Sequence, residues 1–339
     1  VIRAAVQAGL AVAILTGGGH LWVFLVGALV SGAASAFFGP AIIGLIPQTI
    51  SPPRLQAGNA LLNLSQSTAH MAGPIVAGIV VAVMGAGWIF AIDAASFAVS
   101  AIFLLRLAIP ALPATEHGSF MGDLADGWRE VVSRRWLVGS LAAFAFGNLA
   151  FAAFFVLGPL VVERDLGGAP AWGLLMSAFG FGGLAGGAIA LRWRPERPLV
   201  ATFTTLLLAP AALLLLAQTP PLAVLGVGVV MLAVAIAICN TLWHTTLQQQ
   251  VPEKSISRVS SYDWMVSLLI FPAGAALAGP LADAFGADVA LFVFAALAGV
   301  PLALVLGMSS VRAVRRLDPA PSPDAPAGER EAAPEAAIS

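Results

Sequence analysis

The sequence is poor in charge and in cysteine, and both shortages narrow the class of protein. Charged residues make up 10% of the 339 residues, whereas hydrophobic residues make up 59%. Soluble domains average about 25% charged residues, so a soluble fold of this length would leave too much apolar surface in water. Lipid is therefore the expected solvent for most of the chain. The single cysteine, Cys239, excludes an intrachain disulfide and a zinc site built on cysteine pairs.

The sequence also lacks the features of several functional classes. The formal net charge is −1, which argues against a nucleic-acid partner. HExxH, GxSxG, Walker A and DDxxD motifs are absent, so we expect no enzyme, no metal and no other cofactor. The sequence has no filter-like loop and no ring of charges, so a channel is not favoured. A regulator or receptor that has lost transport stays open at this stage.

What the chain has instead is a series of long apolar runs. Helices that cross a bilayer need about 20 such residues. We count ten candidate spans, and the first is interpreted as a helix cut at its start: 1–16, 21–46, 57–84, 87–107, 137–162, 171–192, 198–217, 221–246, 259–283 and 287–309. In this arrangement all of the 16 Lys and Arg residues except Arg164 fall on one side. The positive-inside rule therefore predicts a multi-pass protein of a bacterial-type plasma membrane with both ends of the chain cytoplasmic.

The runs divide the chain into four segments. Residues 1–107 hold four predicted helices, 108–136 form a cytoplasmic loop with an amphipathic helix, and 137–309 hold six helices. Residues 310–339 are rich in Ala, Pro and charge and are expected to be disordered.

A weak internal repeat relates the two groups of spans. The stretch "AGPIVAG" at 72–78 aligns with "AGAALAG" at 273–279. Halves related by an even number of spans face the membrane in the same way, which is typical of a pseudo-twofold repeat of two parallel halves. Because six spans follow the central loop and four precede it, we expect two further helices upstream of residue 1.

Three stretches, at 54–80, 91–105 and 172–190, resemble the major facilitator superfamily, and more narrowly its branch of macrolide efflux proteins and the enterobactin exporter. The resemblance covers 1–309 and implies an all-α membrane fold in which this chain supplies family helices three to twelve. Gly73, Pro74 and Gly78 are similar to the antiporter signature of family helix five, although Ala77 stands where that signature has the first glycine of a pair.

The resemblance implies a secondary active transporter that works by alternating access. The expected activity is proton-coupled efflux of an amphipathic small molecule of the drug, macrolide or siderophore type, by a monomer in the lipid bilayer. Uptake of a solute by the same fold is the alternative, followed by a membrane-embedded enzyme or a transport-dead regulator.

Polar and aromatic residues within the spans are the candidates for a substrate cavity. They form three helical rows: Asn63, Gln66 and His70; Phe144, Asn148 and Phe151; Asn240 and His244. Unpaired polar groups are costly in hydrocarbon, so these rows are expected to face the interior of the bundle. Two roles stay open for each row, a wall of the substrate cavity or packing and hydrogen bonding between helices.

Candidates for proton coupling are Asp93, His70 and His244. Asp93 is the only carboxylate clearly inside a predicted span, although a neighbouring hydroxyl or backbone group would also satisfy it structurally. The two histidines are residues of a type that titrates near neutral pH. Asp263 and Asp283 lie near predicted span ends and are expected to be solvated or to cap helices.

Overall fold

The computed structural model describes residues 1–107 and 120–317, and all regular secondary structure in these ranges is helical. The helices are α1 (Ile2–Leu15), α2 (Leu21–Thr49), α3 (Leu55–Met84), α4 (Ala86–Leu105), α5 (Phe120–Ser133), α6 (Arg135–Asp165), α7 (Ala169–Arg192), α8 (Pro198–Leu206), α9 (Leu208–Ala217), α10 (Leu222–Gln250), α11 (Glu253–Phe285), α12 (Ala287–Gly307) and α13 (Ser309–Ala313). A short 3₁₀ turn, Pro52–Arg54, precedes α3.

Eight of these helical segments are long and apolar enough to cross a membrane, counted over the described residues. They are α2, α4, α6, α7, the α8–α9 pair, α10, α11 and α12. Of the two remaining predicted spans, α1 is a shorter apolar helix of 14 residues, and α3 includes several side chains outside the described part. The count of ten spans therefore stays a prediction. Large apolar side chains such as Leu29 and Leu304 are exposed on the outer faces, as a lipid solvent requires.

Glycine shapes two of the tight connections between helices. Gly85 between α3 and α4 has φ 92°, and Gly286 between α11 and α12 has φ 90°. Only glycine adopts such angles without steric cost, so each connection turns within one residue. The two glycines are separated by the same number of residues as the two repeat stretches. The repeat of two halves itself stays a prediction.

The helices pack in two groups. In the first group α1 lies against α2 and α4, and α3 contacts α4. In the second group α6 packs on α11 and α12, α7 packs on α10, and α9 packs on α12. The main core lies in the second group, where Phe154, Leu157 and Phe294 are fully buried. The groups meet where α3 contacts α7 and α10 and where α2 contacts α11.

The central segment and the start of the tail refine the sequence predictions. Helix α5 is the predicted amphipathic helix, and it packs on α11, where the Tyr262 hydroxyl donates a hydrogen bond to the Leu124 carbonyl at 2.8 Å. The predicted disordered tail begins at residue 310, but Val311 lies within α13 and is buried, as is Val314. These apolar residues pack against the core, so the chain does not leave the helical bundle at residue 310. Residues 108–119 and 318–339, and the predictions made for them, lie outside the described residues.

Candidate functional site

A cavity of about 450 Å³ opens between the two groups of helices. Residues of α2 and α3 form one side, and residues of α6, α10 and α11 form most of the other. Its walls are mainly apolar, and the polar and aromatic side chains are Asn59, Asn63, Gln66, Phe144, Asn148, Phe151, Phe154, Asn240, Trp243, His244, Asp263, Trp264 and Ser267. Such a mixture of apolar surface with a few polar groups is typical of a small-molecule site.

The three rows predicted from the sequence converge on this cavity. Seven of the eight predicted side chains line it, and they come from three different helices: Asn63, Gln66, Phe144, Asn148, Phe151, Asn240 and His244. The side chain of His70 lies outside the described residues, although its backbone belongs to α3. Contact with a substrate stays a prediction for the whole set.

The α3 row combines hydrogen bonds between helices with lining of this cavity. Asn63 is buried, and its Nδ2 donates to the Asn59 carbonyl and to the Thr241 hydroxyl of α10, both at 3.0 Å. Gln66, one turn further along α3, is exposed toward the cavity. The row therefore begins as a hydrogen-bonded contact between helices and continues as a cavity wall.

Sequence reasoning missed the upstream part of this row. Asn59 donates to the Thr245 hydroxyl at 3.0 Å and to Gln248 Oε1 at 2.7 Å. Gln56 donates to the carbonyl oxygens of Ala190 and Trp193 at 2.7 and 2.6 Å. Both residues continue the spacing of Asn63 and Gln66 toward the start of α3. Extending the helical row by two turns would have found them.

The α6 row combines aromatic packing with one polar contact. The Phe144 ring meets Trp243 edge to face, with ring centroids 4.7 Å apart. Asn148 Nδ2 donates to the Phe144 carbonyl at 2.9 Å and to the Ser267 hydroxyl of α11 at 3.3 Å. Phe151 packs against Phe271 of α11. This face thus holds α6 on α11 while its outer edge faces the cavity.

The α10 row carries the histidine of the cavity. His244 is half-buried, and its Nδ1 is shielded from solvent and has no hydrogen-bond partner among the described residues. Asn240 lies one turn earlier on the same wall, and Cys239 beside it is buried. A buried imidazole nitrogen without a hydrogen-bond partner is unusual, because leaving such a group unpaired is costly.

Asp93 lies apart from this cavity. It is half-buried on α4, and its Oδ2 accepts a hydrogen bond of 2.6 Å from the Gln7 amide of α1. The carboxyl group is therefore satisfied by a neighbouring helix, in the structural role that the sequence left open. It does not belong to the residues that line the cavity, and its role in coupling stays a prediction.

Asp263 differs from its sequence expectation. It was expected to be solvated near a span end, but it is 9% exposed and lines the cavity. Its Oδ2 accepts a hydrogen bond of 3.0 Å from the Trp243 indole. Helix α11 begins at Glu253, six residues before the predicted span, so Asp263 lies about 15 Å along the helix axis. Asp283, at the other end of α11, is exposed as expected.

Glycines form the close contacts around the site. A methyl group on Gly182 or Gly186 of α7 would collide with α10, whereas Gly183 and Gly187 of the same helix approach side chains of α3. Of the antiporter-like residues, Gly73 faces open space. The surroundings of Pro74 and Gly78 lie outside the described part of the structure.

Two helical groups around a mixed polar and aromatic cavity, in a chain built from membrane-length helices, define the class of a multi-pass membrane protein with a cavity between its helical groups. The model of the Major Facilitator Superfamily matches residues 3–269. The chain therefore belongs to the Major Facilitator Superfamily.

Curated relatives support the same class. The chain is 24% identical over 275 residues to the MFS-type transporter YvqJ of Bacillus subtilis (strain 168), a match that covers 78% of this chain and 65% of YvqJ. It therefore spans less than two thirds of that relative. It is also 26% identical over 312 residues to the multidrug efflux pump Tap of Mycobacterium tuberculosis (strain ATCC 25618 / H37Rv), which covers 86% of this chain and 72% of Tap.

Solved structures share the fold at low identity. The human organic anion transporter MFSD10 superposes with a TM-score of 0.67 at 20% identity, covering 89% of this chain and 76% of MFSD10. A point variant of the Escherichia coli fucose:proton symporter FucP superposes with a TM-score of 0.65 at 17% identity, covering 90% of this chain and 80% of FucP. At these identities the likeness concerns the fold alone.

Proposed function

We propose that the protein is a secondary active transporter that exports an amphipathic small molecule by alternating access, in the manner of a drug, macrolide or siderophore exporter. The observation that carries the proposal is the cavity between the two helical groups, with its mostly apolar wall and its few amide, hydroxyl and imidazole groups. Similarity to a multidrug efflux pump favours export over uptake.

In this proposal the substrate contacts side chains from both groups of helices. Asn63, Gln66 and His70 of α3 would face Phe144, Asn148 and Phe151 of α6 and Asn240 and His244 of α10. Amide groups offer donors and acceptors to a polar part of the substrate, and the phenylalanine rings offer apolar surface. Alternating access would expose this set first to one side of the membrane and then to the other.

Proton coupling belongs to the same proposal, with His244, His70 and Asp93 as candidates. His244 is favoured because its ring lies on the cavity wall and its Nδ1 has no partner among the described residues. Asp93 is disfavoured because Gln7 already satisfies it outside the cavity. The antiporter-like segment of Gly73, Pro74 and Gly78, the cytoplasmic position of both ends, the monomeric state, and the numbering as family helices three to twelve stay predictions.

The test is accumulation of a fluorescent lipophilic dye in a bacterium that lacks its main efflux pumps. We expect expression of the gene to lower dye accumulation, and we expect a protonophore to abolish the difference. Gln66→Ala should weaken export, because it removes an amide exposed to the cavity. Gln218→Ala is the matched control, since Gln218 is exposed at the end of α9 and bonds only within its own helix.

Each outcome bears on a different part of the proposal. Equal accumulation with and without the protein, when the protein is present in the membrane, would contradict dye export. Higher accumulation would favour the alternative of uptake by the same fold. Export that persists with the protonophore would contradict proton coupling and leave efflux in place.

A further inference from the structure

The described lining of the cavity has one acidic side chain and no lysine or arginine to compensate it. Of the described residues that line it, Asp263 is the only carboxylic acid, and none is lysine or arginine. No ion pair joins Asp263 to another described residue. The remaining titratable side chains on the wall are His244 and Cys239 of the facing helix α10.

The carboxyl group is held in place by a single neutral donor. The Trp243 indole donates to Oδ2 at 3.0 Å, and this is the one hydrogen bond that the described residues give to Asp263. A buried carboxylate with one neutral donor is poorly compensated, because desolvating an anion costs far more than one such bond returns. A charged partner that arrives with a ligand would supply the missing compensation.

Aromatic rings line the cavity that contains this carboxyl group. Trp243 of α10 and Trp264, the residue after Asp263 in α11, both line the cavity. Phe144 packs edge to face on Trp243. Gly39 of α2 lets the Trp264 indole lie close to the backbone, since a methyl group there would come within 2.6 Å of that ring. Indole and phenyl faces attract cations, most strongly where water is excluded.

We propose that Asp263 is the charge-selecting residue of the cavity, and that the transported molecule is an organic cation with an apolar body. The carboxylate would pair with the positive charge, and the rings of Trp243, Trp264 and Phe144 would contact the apolar part. One carboxylate selects one positive charge. This inference rests on the proposed transport function, because it names the substrate class of the same cavity.

The test is equilibrium binding to the purified full-length protein at one fixed pH. The probes are tetraphenylphosphonium, a cation, and tetraphenylborate, an anion of nearly the same shape. We expect the protein to bind the cation and to reject the anion. We expect Asp263→Asn to weaken cation binding by about tenfold or more, because the ligand loses its buried counter-ion. Asp263→Glu, which keeps the charge, should retain most of the binding.

Two controls separate charge selection from a structural role. Asp283→Asn changes the exposed acid at the far end of α11 and should leave cation binding unchanged. Binding of Nile red, a neutral apolar dye, should be equal in all variants if the cavity keeps its shape. Equal binding of the two tetraphenyl ions, or unchanged cation binding in Asp263→Asn, would overturn the inference. Parallel loss of Nile red binding in Asp263→Asn would also overturn it in favour of a structural role.

The same probes distinguish this inference from the function on which it rests. A protein that exports Nile red from cells but neither binds nor exports tetraphenylphosphonium would be a transporter without cation selection. A protein that exports neither probe would contradict the proposed function, whatever the purified protein binds.

Discussion

Asn59 makes two hydrogen bonds between the two helical groups. It is 2% exposed, and its amide donates to both Thr245 and Gln248 of α10. A buried amide in a membrane protein needs such partners, because lipid offers none. The pair of bonds fixes the register of α3 against α10 at one end of the cavity.

Thr245 and Thr246 provide a matched test of this contact. Both are buried and both donate to a carbonyl of their own helix, but only Thr245 accepts a bond from α3. We expect Thr245→Val to lower the free energy of unfolding by about 0.6 kcal/mol more than Thr246→Val, the usual value of one interhelical bond in a membrane. Denaturant titration of the purified protein in mixed micelles measures this difference.

A double-mutant cycle sharpens the test. Asn59→Ala should be non-additive with Thr245→Val, because the two changes remove the same bond, and additive with Thr246→Val. Equal costs for the two threonine variants, with additivity in both cycles, would contradict the contribution of this bond.

Asp93 and His244 differ in their hydrogen bonding. Asp93 has a partner in α1, whereas His244 Nδ1 has none among the described residues. Asp93→Asn should retain export, because an asparagine carbonyl oxygen still accepts the bond from Gln7. His244→Ala should lose most of the protonophore-sensitive export, because it removes the imidazole from the cavity wall. Dye accumulation with and without the protonophore measures both variants. Loss of coupling in Asp93→Asn with normal coupling in His244→Ala would reverse the assignment.

Some residues of the site were predictable from the sequence and others were not. The rows on α3, α6 and α10 were found because polar residues at helical spacing stand out in apolar runs. Asp263 was misplaced because its depth depends on where α11 begins, and the start of a helix is poorly defined by hydropathy where polar residues precede the apolar run. The partner of Asp93 was not predictable, since which helix packs on α4 is a property of the tertiary fold.

At the scale of the element, α7 is a helix with two close-packed glycine faces. A methyl group on Gly186 would lie 2.6 Å from the Val234 carbonyl oxygen and 2.8 Å from Ala237 Cβ of α10. Gly187, the next residue, points instead at Leu64 of α3. Small residues on both faces let α7 approach a helix of each group at once.

Gly186→Ala should therefore push α7 away from α10. We expect a cost of about 1–3 kcal/mol in the free energy of unfolding, the usual range for overpacking a tight contact. Gly173→Ala in the same helix is the control, because a methyl group there meets nothing within 4 Å. It should be neutral or slightly stabilising, since alanine is the better helix former. Comparable losses in both variants would mean that the helix backbone, rather than the α7–α10 contact, is sensitive.

Helices were the most predictable elements, and their ends were the least. The apolar runs located the membrane-length helices because only a helix satisfies its backbone in lipid. The residues predicted to form a loop before α11 are its first turns in the structure. Nothing in "VPEKSISR" after the proline prevents a helix. The packing of Val311 and Val314 was missed because two valines are too few to stand out within a charged segment.

At the scale of the whole molecule, the side-chain hydrogen bonds that the described residues make between the two helical groups lie at one end. They join the first turns of α3 to the last turns of α7 and α10, which the distribution of Lys and Arg predicts to be the cytoplasmic end. Gln248 also reaches the Ile43 carbonyl of α2 at 3.4 Å. Rocking of one group against the other would have to break these bonds to open the cavity on this side.

A reversible tether across this contact tests that motion. The double variant Asn59→Cys, Gln248→Cys joins positions whose native side chains are 2.7 Å apart, in a background with Cys239→Ser. We expect a short bifunctional methanethiosulfonate to abolish dye export and a reducing agent to restore it, because the tether holds the two groups together at this end. Export is compared before cross-linking, after it and after reduction.

The control tether lies within one group. Gly228→Cys with Leu215→Cys joins α10 to α9, where a methyl group on Gly228 would lie 2.7 Å from the Leu215 side chain. Neither residue lines the cavity. Rigid-body rocking leaves distances within a group unchanged, so this cross-link should leave export intact. Export that survives the α3–α10 tether would mean that the groups do not separate there. Export blocked equally by both tethers would mean that helices within a group also rearrange during transport.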